Sequence, residues 1–145
     1  MKNSVPISAL VITYNEENNI ERCLNSLDGI ADEIVVIDSF STDRTAEIIQ
    51  EAARKHPWIR YVKRPDRGVR KVGPGVIEAF YDGYSQIQSE DYDYIGKMDG
   101  DLSFGPRYFE TIFAKFDQDP YLGAASGKLF LDLGNGQLTE ERHAD

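Results

Sequence analysis

The sequence predicts an α/β protein with a doubly wound, mostly parallel sheet. Short apolar runs alternate with helical patterns along the chain, in the order β-α-β-α-β-α-β-α-β. The second of these runs, residues 34–37, is apolar at every position, which is typical of a parallel strand covered on both faces. Strands that alternate with helices are joined by right-handed crossovers. We expect a single domain over residues 1–145, long enough to bury a core of its own.

The first half of the chain is predicted to contain three strands and two helices. Strand-like apolar runs occupy residues 8–12, 33–37 and 59–63. A first helix follows Asn18, and a second runs from about residue 43 to residue 55. The apolar positions of the first helix, spaced as i, i+3, i+4 and i+7, are Ile20, Cys23, Leu24 and Leu27.

The second half is predicted to add two helices and two strands. A third helix opens at residues 73–75, and a fourth starts at Pro106, since proline suits the first turn of a helix. Strands are expected at residues 92–98 and 124–131, and residues 134–136 form a turn suited to a hairpin. The positions expected to face the core are Val76, Phe80, Tyr84 and Ile87 in the third helix and Phe109, Ile112, Phe113 and Phe116 in the fourth.

Composition narrows the class of function. The net charge of −9 argues against nucleic acid as the main partner. No apolar run approaches the roughly 20 residues of a membrane span, and residues 1–6 do not resemble a signal peptide. The single cysteine, Cys23, excludes an internal disulfide and suits a reducing cytoplasm. We therefore expect a cytoplasmic protein, or one at the cytoplasmic face of a membrane if the chain is part of a longer protein.

Two carboxylates, Asp99 and Asp101, directly follow the predicted strand at residues 92–98. In open α/β sheets, ligands bind at the carboxyl ends of strands. Two acids so close together repel each other, and their hard oxygen atoms suit Mg²⁺ or Mn²⁺. The ligand that such a metal ion usually binds is a diphosphate. Aspartate and glycine are also ordinary turn residues, so this stretch by itself fits a polar turn equally well.

Three motifs in a fixed order carry a resemblance to a known family. They are residues 13–18 after the first strand, residues 38–45 after the second, and residues 97–101. In this order and spacing they resemble the nucleotide-sugar-binding half of inverting family 2 glycosyltransferases, which have the GT-A fold. The resemblance covers residue 5 to about residue 130. It implies a sheet truncated after about five strands, a donor that is a nucleotide-diphosphate sugar of uridine or guanosine, and Mn²⁺ or Mg²⁺ as cofactor.

The resemblance also implies roles for individual residues. Asp101 would be the more direct metal ligand, and Asp99 would contact the ribose or reach the metal through water. The base and ribose would be held by residues at the ends of the first two strands, which are Thr13, Tyr14, Glu16 and Asp38. Tyr14 offers a ring face for a nucleobase. The acids Glu16 and Asp38 offer acceptors for base N–H groups or ribose hydroxyls.

Several of these positions have a simpler structural interpretation. Acids at Glu16 and Glu17 would favour the start of a helix through its dipole. We interpret residues 41–43 as caps of the second helix. A basic stretch over residues 60–71 is mostly a solvated loop in this interpretation. Within it we keep Arg70 and Lys71 as phosphate-binding candidates, since arginine suits bidentate phosphate contacts.

The catalytic residues are not identified by the sequence. Family 2 enzymes place their catalytic base well beyond the Asp-x-Asp motif, and this chain ends at Asp145. His143 could imitate a base, but at a chain end beside Glu140 and Glu141 it is expected to be solvated. We therefore expect the chain alone to transfer no sugar. Self-association through an open sheet edge beyond the fifth strand is also expected.

Two alternatives from other functional classes stay open. One is a non-catalytic module that binds a nucleotide or metal and regulates a partner, which the missing base favours. The other is a metal-dependent nucleotidyltransferase. That class should show a basic, glycine-rich phosphate loop after the first strand, whereas residues 14–17 are acidic and contain no glycine.

Overall fold

The computed structural model describes residues 6–66, 68, 74–99 and 102–141. The chain divides into two compact units, a first unit of residues 1–94 and a second unit of residues 95–145. The first unit contains a parallel sheet with helices, and the second contains one helix and a hairpin. The predicted α/β class with a parallel sheet is confirmed.

The first unit is built on three parallel strands in the order β1-β2-β3. Each strand is followed by a helix, so the crossovers are the helical connections that parallel pairing requires. All three predicted strands of this half are confirmed. The bounds are β1 Ser8–Thr13, α1 Ile20–Leu27, β2 Glu33–Asp38, α2 Thr45–Lys55, β3 Ile59–Lys63 and α3 Pro74–Tyr84.

The core lies on both faces of β2, whose residues 34–37 are fully buried. Side chains alternate along a strand, so Ile34 and Val36 face one side and Val35 and Ile37 face the other. The first pair packs against α1 and α2 through a cluster that includes Ile49, and the second pair packs with α3. This is the two-sided covering that the unbroken apolar run predicts.

The buried face of α3 differs from the prediction. The buried positions are Gly75, Ala79 and Gly83, spaced as i, i+4 and i+8, whereas Val76 is half exposed. A Cβ atom at Gly83 would lie 2.2 Å from Cδ1 of Leu10, so the helix backbone comes directly against the sheet there. The prediction that Val76, Phe80 and Tyr84 face the core is therefore wrong. Of the predicted core positions, Ile87 does pack against the buried cluster that contains Val35 and Ile37.

The second unit contains α4 and a two-stranded antiparallel hairpin of β4 and β5. Gly134 and Gly136 both have positive φ in the connecting turn, which confirms the predicted hairpin. None of the residues described in this unit is buried. The bounds are α4 Tyr108–Gln118, β4 Phe130–Asp132 and β5 Leu138–Glu140.

Three predictions for the second half of the chain are wrong. Residues 92–98 form no strand, and the strand expected at residues 124–131 is reduced to β4, which pairs antiparallel. The aromatic face expected to be inward on α4 is not buried. A strand needs a neighbour to take its backbone hydrogen bonds, and an apolar run does not by itself supply one. Of the helices in the described part of the chain, none is long and apolar enough to cross a lipid bilayer.

Candidate functional site

The carboxyl ends of β1 and β2 lie side by side. Thr13 and Asp38 are partners in the parallel register, and each is the last residue of its strand. The first loop, residues 14–19, follows β1, and the second loop, residues 39–44, follows β2. Parallel pairing therefore brings together four of the predicted site residues, which are Thr13, Tyr14, Glu16 and Asp38.

The carboxylate of Asp38 is fully buried and has three hydrogen-bond donors. Its Oδ1 atom accepts bonds from the backbone N–H of Ser41, at 3.0 Å, and from the Ser41 hydroxyl. Its Oδ2 atom accepts a bond from the Tyr61 hydroxyl at 3.2 Å. A buried carboxylate requires such partners, because an unpaired buried charge is strongly unfavourable. These three donors leave part of the acceptor capacity of Oδ2 unused.

The two loops are joined by backbone amides of the first loop. Three consecutive N–H groups donate hydrogen bonds to side chains of the second loop or of the first residue of α2. The bonds run from Asn15 to Ser41 Oγ (2.9 Å), from Glu16 to Thr45 Oγ1 (2.7 Å) and from Glu17 to Asp43 Oδ2 (3.2 Å). These amides would otherwise need water or a ligand as acceptor.

Bonds in the opposite direction complete the connection. The backbone N–H of Thr42 donates to Asn15 Oδ1 at 2.8 Å, and that of Arg44 donates to Glu17 Oε2 at 3.1 Å. Asn15 and Phe40 have φ of 55° and 67°, in the left-handed region that non-glycine residues seldom adopt. We call these five cross-loop hydrogen bonds the loop clasp. They hold both loops in conformations that an isolated chain would disfavour.

The capping interpretation of residues 41–43 is only partly right. Asp43 Oδ1 accepts a bond from the N–H of Thr45 at 3.0 Å, in the first turn of α2. Ser41 and Thr42 instead belong to the connection between the loops. Desolvation by itself would raise the pKa of Asp43, but the bonds donated by Thr45 and Glu17 together outweigh it and lower that pKa. Sequence cannot separate these roles, because the same residue types serve as caps and as loop bridges.

The predicted site residues differ in how far they are exposed. Thr13 is 4% exposed, and its hydroxyl has no hydrogen-bond partner among the described residues. Tyr14 is 38% exposed. Glu16 is exposed, and its carboxylate accepts a bond from Asn19 Nδ2 at 2.9 Å. Tyr14 and Glu16 are thus the members of the set that are accessible from solvent, whereas Thr13 and Asp38 are buried.

Two residues of the basic stretch that was interpreted as a solvated loop lie near this strand end, and for the buried Arg64 that interpretation is wrong. Arg64 is 5% exposed, and its Nε atom donates to Asp82 Oδ2 at 2.6 Å, which anchors α3. Lys63 pairs in register with Asp38, and its Nζ atom lies 5.2 Å from the centre of the Phe40 ring. The sequence did contain a signal for Lys63, since it is the last residue of the predicted third strand, now β3. The phosphate candidates Arg70 and Lys71 lie outside the described residues.

The Asp-x-Asp motif belongs to the second unit. The Asp99 carboxylate is 68% exposed, and its Oδ1 atom lies 2.6 Å from the Nζ atom of Lys97. Asp101 and His143 lie outside the described residues. No cluster of three or more histidine, cysteine or acidic side chains occurs in the part of the chain that the structure covers. A divalent cation at Asp99 would compete with Lys97 for the same oxygen atom.

Comparison with known proteins identifies the family. The model of "Glycosyl transferase family 2" matches residues 8–139. An uncharacterized glycosyltransferase of Rickettsia bellii is 49% identical over 122 residues, which cover 80% of this chain and 35% of that protein. A dolichol-phosphate mannosyltransferase of Pyrococcus furiosus is 34% identical over 110 residues (73% and 28%). A hyaluronan synthase of Pasteurella multocida is 29% identical over 124 residues (83% and 12%).

The matches cover a much larger share of this chain than of its relatives. The chain spans about a third or less of the length of these three relatives. No solved structure matches it. The family match nevertheless runs through both strand-end loops and the Asp-x-Asp motif, and it covers nearly all of the residues of the chain. The chain therefore belongs to glycosyl transferase family 2.

Proposed function

We propose that this chain is the donor-binding part of a glycosyltransferase and binds a nucleotide-diphosphate sugar at the carboxyl ends of β1 and β2. The observation that carries the proposal is the loop clasp, which joins the two loops at the ends of two adjacent parallel strands, and the first of these loops carries the exposed Tyr14 and Glu16. Such strand ends are where open α/β sheets take their ligands. Membership of family 2 supports a sugar-transfer function in general.

The nucleoside is assigned to the first unit. The Tyr14 ring would stack on the nucleobase, and base–aromatic stacking is worth about 1–3 kcal/mol per base. The Glu16 carboxylate would accept a hydrogen bond from the base or the ribose. Asp38 supports the second loop through its bonds from Ser41, and direct contacts of Thr13 and Asp38 with the nucleotide stay predictions. Uridine and guanosine diphosphates are the donors to test first.

The diphosphate is assigned to Asp99 and Asp101 with a divalent cation, Mn²⁺ or Mg²⁺. Carboxylate oxygens are the donors that these ions prefer, and Asp99 offers one in solvent. A divalent cation would neutralise the negative charge that develops on the diphosphate as it leaves. Arg70 and Lys71 are proposed as further phosphate contacts. The acceptor and the catalytic base are not assigned, and we propose that the chain by itself binds the donor without transferring its sugar.

Calorimetry on the whole chain tests the proposal. UDP and GDP are titrated with manganese present and again after EDTA, and we expect binding of at least one nucleotide that depends on the metal. Tyr14→Ala should weaken that binding by about 1–3 kcal/mol. Tyr121→Ala is the matched control, because Tyr121 is almost fully exposed and lies far from these loops in the sequence. Absence of nucleotide binding, or equal losses in the two variants, would contradict the proposed site.

A further inference from the structure

Ser41 connects the buried carboxylate to the exposed loop. Its hydroxyl donates to Asp38 Oδ1 and, through its oxygen, accepts the bond from the N–H of Asn15 at 2.9 Å. Its own backbone N–H also donates to Asp38 Oδ1, at 3.0 Å. One side chain therefore links the end of β2 to the residue next to Tyr14. The donor and acceptor capacity of a hydroxyl group suits this relay, and no aliphatic side chain of the same size could replace it.

The conformation of Asn15 depends on this link. With φ at 55°, Asn15 turns the chain sharply directly after Tyr14. Asparagine tolerates that region better than most residues, but it still needs local hydrogen bonds to stay there. Its N–H donates to Ser41 Oγ, and its side-chain oxygen accepts bonds from the N–H of Thr42 and, at 3.4 Å, from the Thr42 hydroxyl. Loss of the Ser41 bond would release the backbone that orients the Tyr14 ring.

We propose that Ser41 is a positioning residue for the nucleobase: anchored by Asp38, it fixes the Asn15 turn and thereby the orientation of the Tyr14 ring. The inference rests on the proposed function, since it assumes that Tyr14 stacks on the base. It gives Asp38 the role of a buried anchor, in keeping with a carboxylate that already has three donors and no exposed surface. Ser41 itself touches no ligand.

The first test compares affinities of UDP and GDP, with manganese, in wild type and Ser41→Ala. Ser41→Ala should weaken the nucleotide about tenfold, which is the scale of one hydrogen bond. Binding of pyrophosphate with manganese should not change, because the diphosphate contacts are assigned to other residues, Asp99 and Asp101. Ser41→Thr keeps the hydroxyl and should restore most of the nucleotide affinity. Ser26→Ala is the matched control, since the Ser26 hydroxyl donates to the Cys23 carbonyl on the exposed surface of α1.

A double-mutant cycle with Tyr14→Ala separates positioning from general destabilisation. If Ser41 acts through the Tyr14 ring, Ser41→Ala should cause no further loss of nucleotide affinity once that ring is absent. Asn15→Ala keeps the backbone N–H that Ser41 accepts but disfavours the turn itself, because alanine seldom adopts positive φ, and it leaves Ser41 and Asp38 in place. It should weaken the nucleotide by a similar factor, and it provides the same test if Ser41→Ala does not fold.

The outcomes distinguish the inference from the function on which it rests. A wild-type chain that binds no nucleotide overturns the proposed function and the role of Ser41 with it. A wild-type chain that binds, together with a Ser41→Ala variant of unchanged affinity, overturns the inference alone. Losses that are additive with Tyr14→Ala, or equal losses for nucleotide and pyrophosphate, also overturn it, because they would show a merely structural role.

Discussion

The two units of the chain differ in how their apolar residues are used. The ten buried hydrophobic residues of the described chain all lie in the first unit, and four of them are consecutive in β2. The second unit also contains many large apolar side chains, such as Phe104 and Leu131, but its described residues include no buried one. Apolar content alone therefore does not make a core. A strand covered on both faces does, because each of its side chains meets a neighbouring element.

The same difference separates the candidate binding residues of the first unit from those of the second. Tyr14 and Glu16 are carried by loops that end buried strands and are joined by the loop clasp. Asp99 lies in a segment without regular secondary structure, and its carboxylate has an exposed lysine as partner. Positioning on rigid elements is what precise ligand contacts require. The nucleoside contacts are thus expected to be pre-organised in the free protein, and the diphosphate contacts are not.

The largest expected effect is on stability, and it compares matched isoleucines in the two units. Ile37→Ala removes a fully buried side chain of β2 and should lower the free energy of unfolding by about 2–5 kcal/mol. Ile95→Ala removes a side chain that is 62% exposed and should change it by less than about 0.5 kcal/mol. Urea unfolding followed by circular dichroism measures both. Comparable losses would contradict the contrast between the units.

An intermediate effect is expected from matched aspartates. Asp38→Ala leaves partly buried donors on Ser41 and Tyr61 without the charged acceptor that they have now, and it should cost about 1.5–3 kcal/mol of stability. Asp99→Ala removes only an exposed ion pair and should cost less than about 1 kcal/mol.

The two variants should show the opposite order in metal-dependent nucleotide binding, measured by calorimetry. That binding should fall in Asp99→Ala. Asp38→Ala should weaken nucleotide but leave pyrophosphate with manganese unaffected. Equal weakening of nucleotide binding and pyrophosphate binding would contradict a specific role of Asp38 in binding the base.

The smallest expected effect is a pH dependence in the first unit. Desolvation raises the pKa of Glu33, but bonds from the Gln88 N–H and the Ser8 hydroxyl, together with Arg60, outweigh it, so the pKa lies below its ordinary value of 4.5. Because the pKa of Glu33 is lower in the folded state, its ionised carboxylate stabilises the fold at pH values above the ordinary pKa. That stabilisation is lost as the pH falls through the folded-state pKa.

The test is a comparison of wild type with Glu33→Gln. Unfolding free energies of the two proteins should differ most at neutral pH and converge as the pH falls below about 4.5, the ordinary value from which the shift starts. A difference between them that stays constant from pH 7 to pH 3 would show that the ionised form of Glu33 contributes nothing. Thermal unfolding monitored at several pH values is sufficient for this measurement.

Local pattern predicted the first unit well. The expected strands at residues 8–12, 33–37 and 59–63 are found within one residue of β1, β2 and β3. The same kind of apolar run failed at residues 92–98, where no strand is found. The reason is that a strand exists only with a partner, and the partner's identity is a non-local property. The three strands that were right are those that pair with one another.

The sequence by itself determined the α/β class, the family, and the strand ends at which Thr13, Tyr14, Glu16 and Asp38 gather. These follow from periodicity and motif order, which are properties of neighbouring residues. Only the tertiary structure decided that α3 buries its glycine and alanine face, that Asp38 is fully buried with donors from Ser41 and Tyr61, and that Ser41 bridges the two loops. Those facts depend on which groups from distant parts of the chain come within hydrogen-bonding or van der Waals distance, and no local pattern encodes such distances.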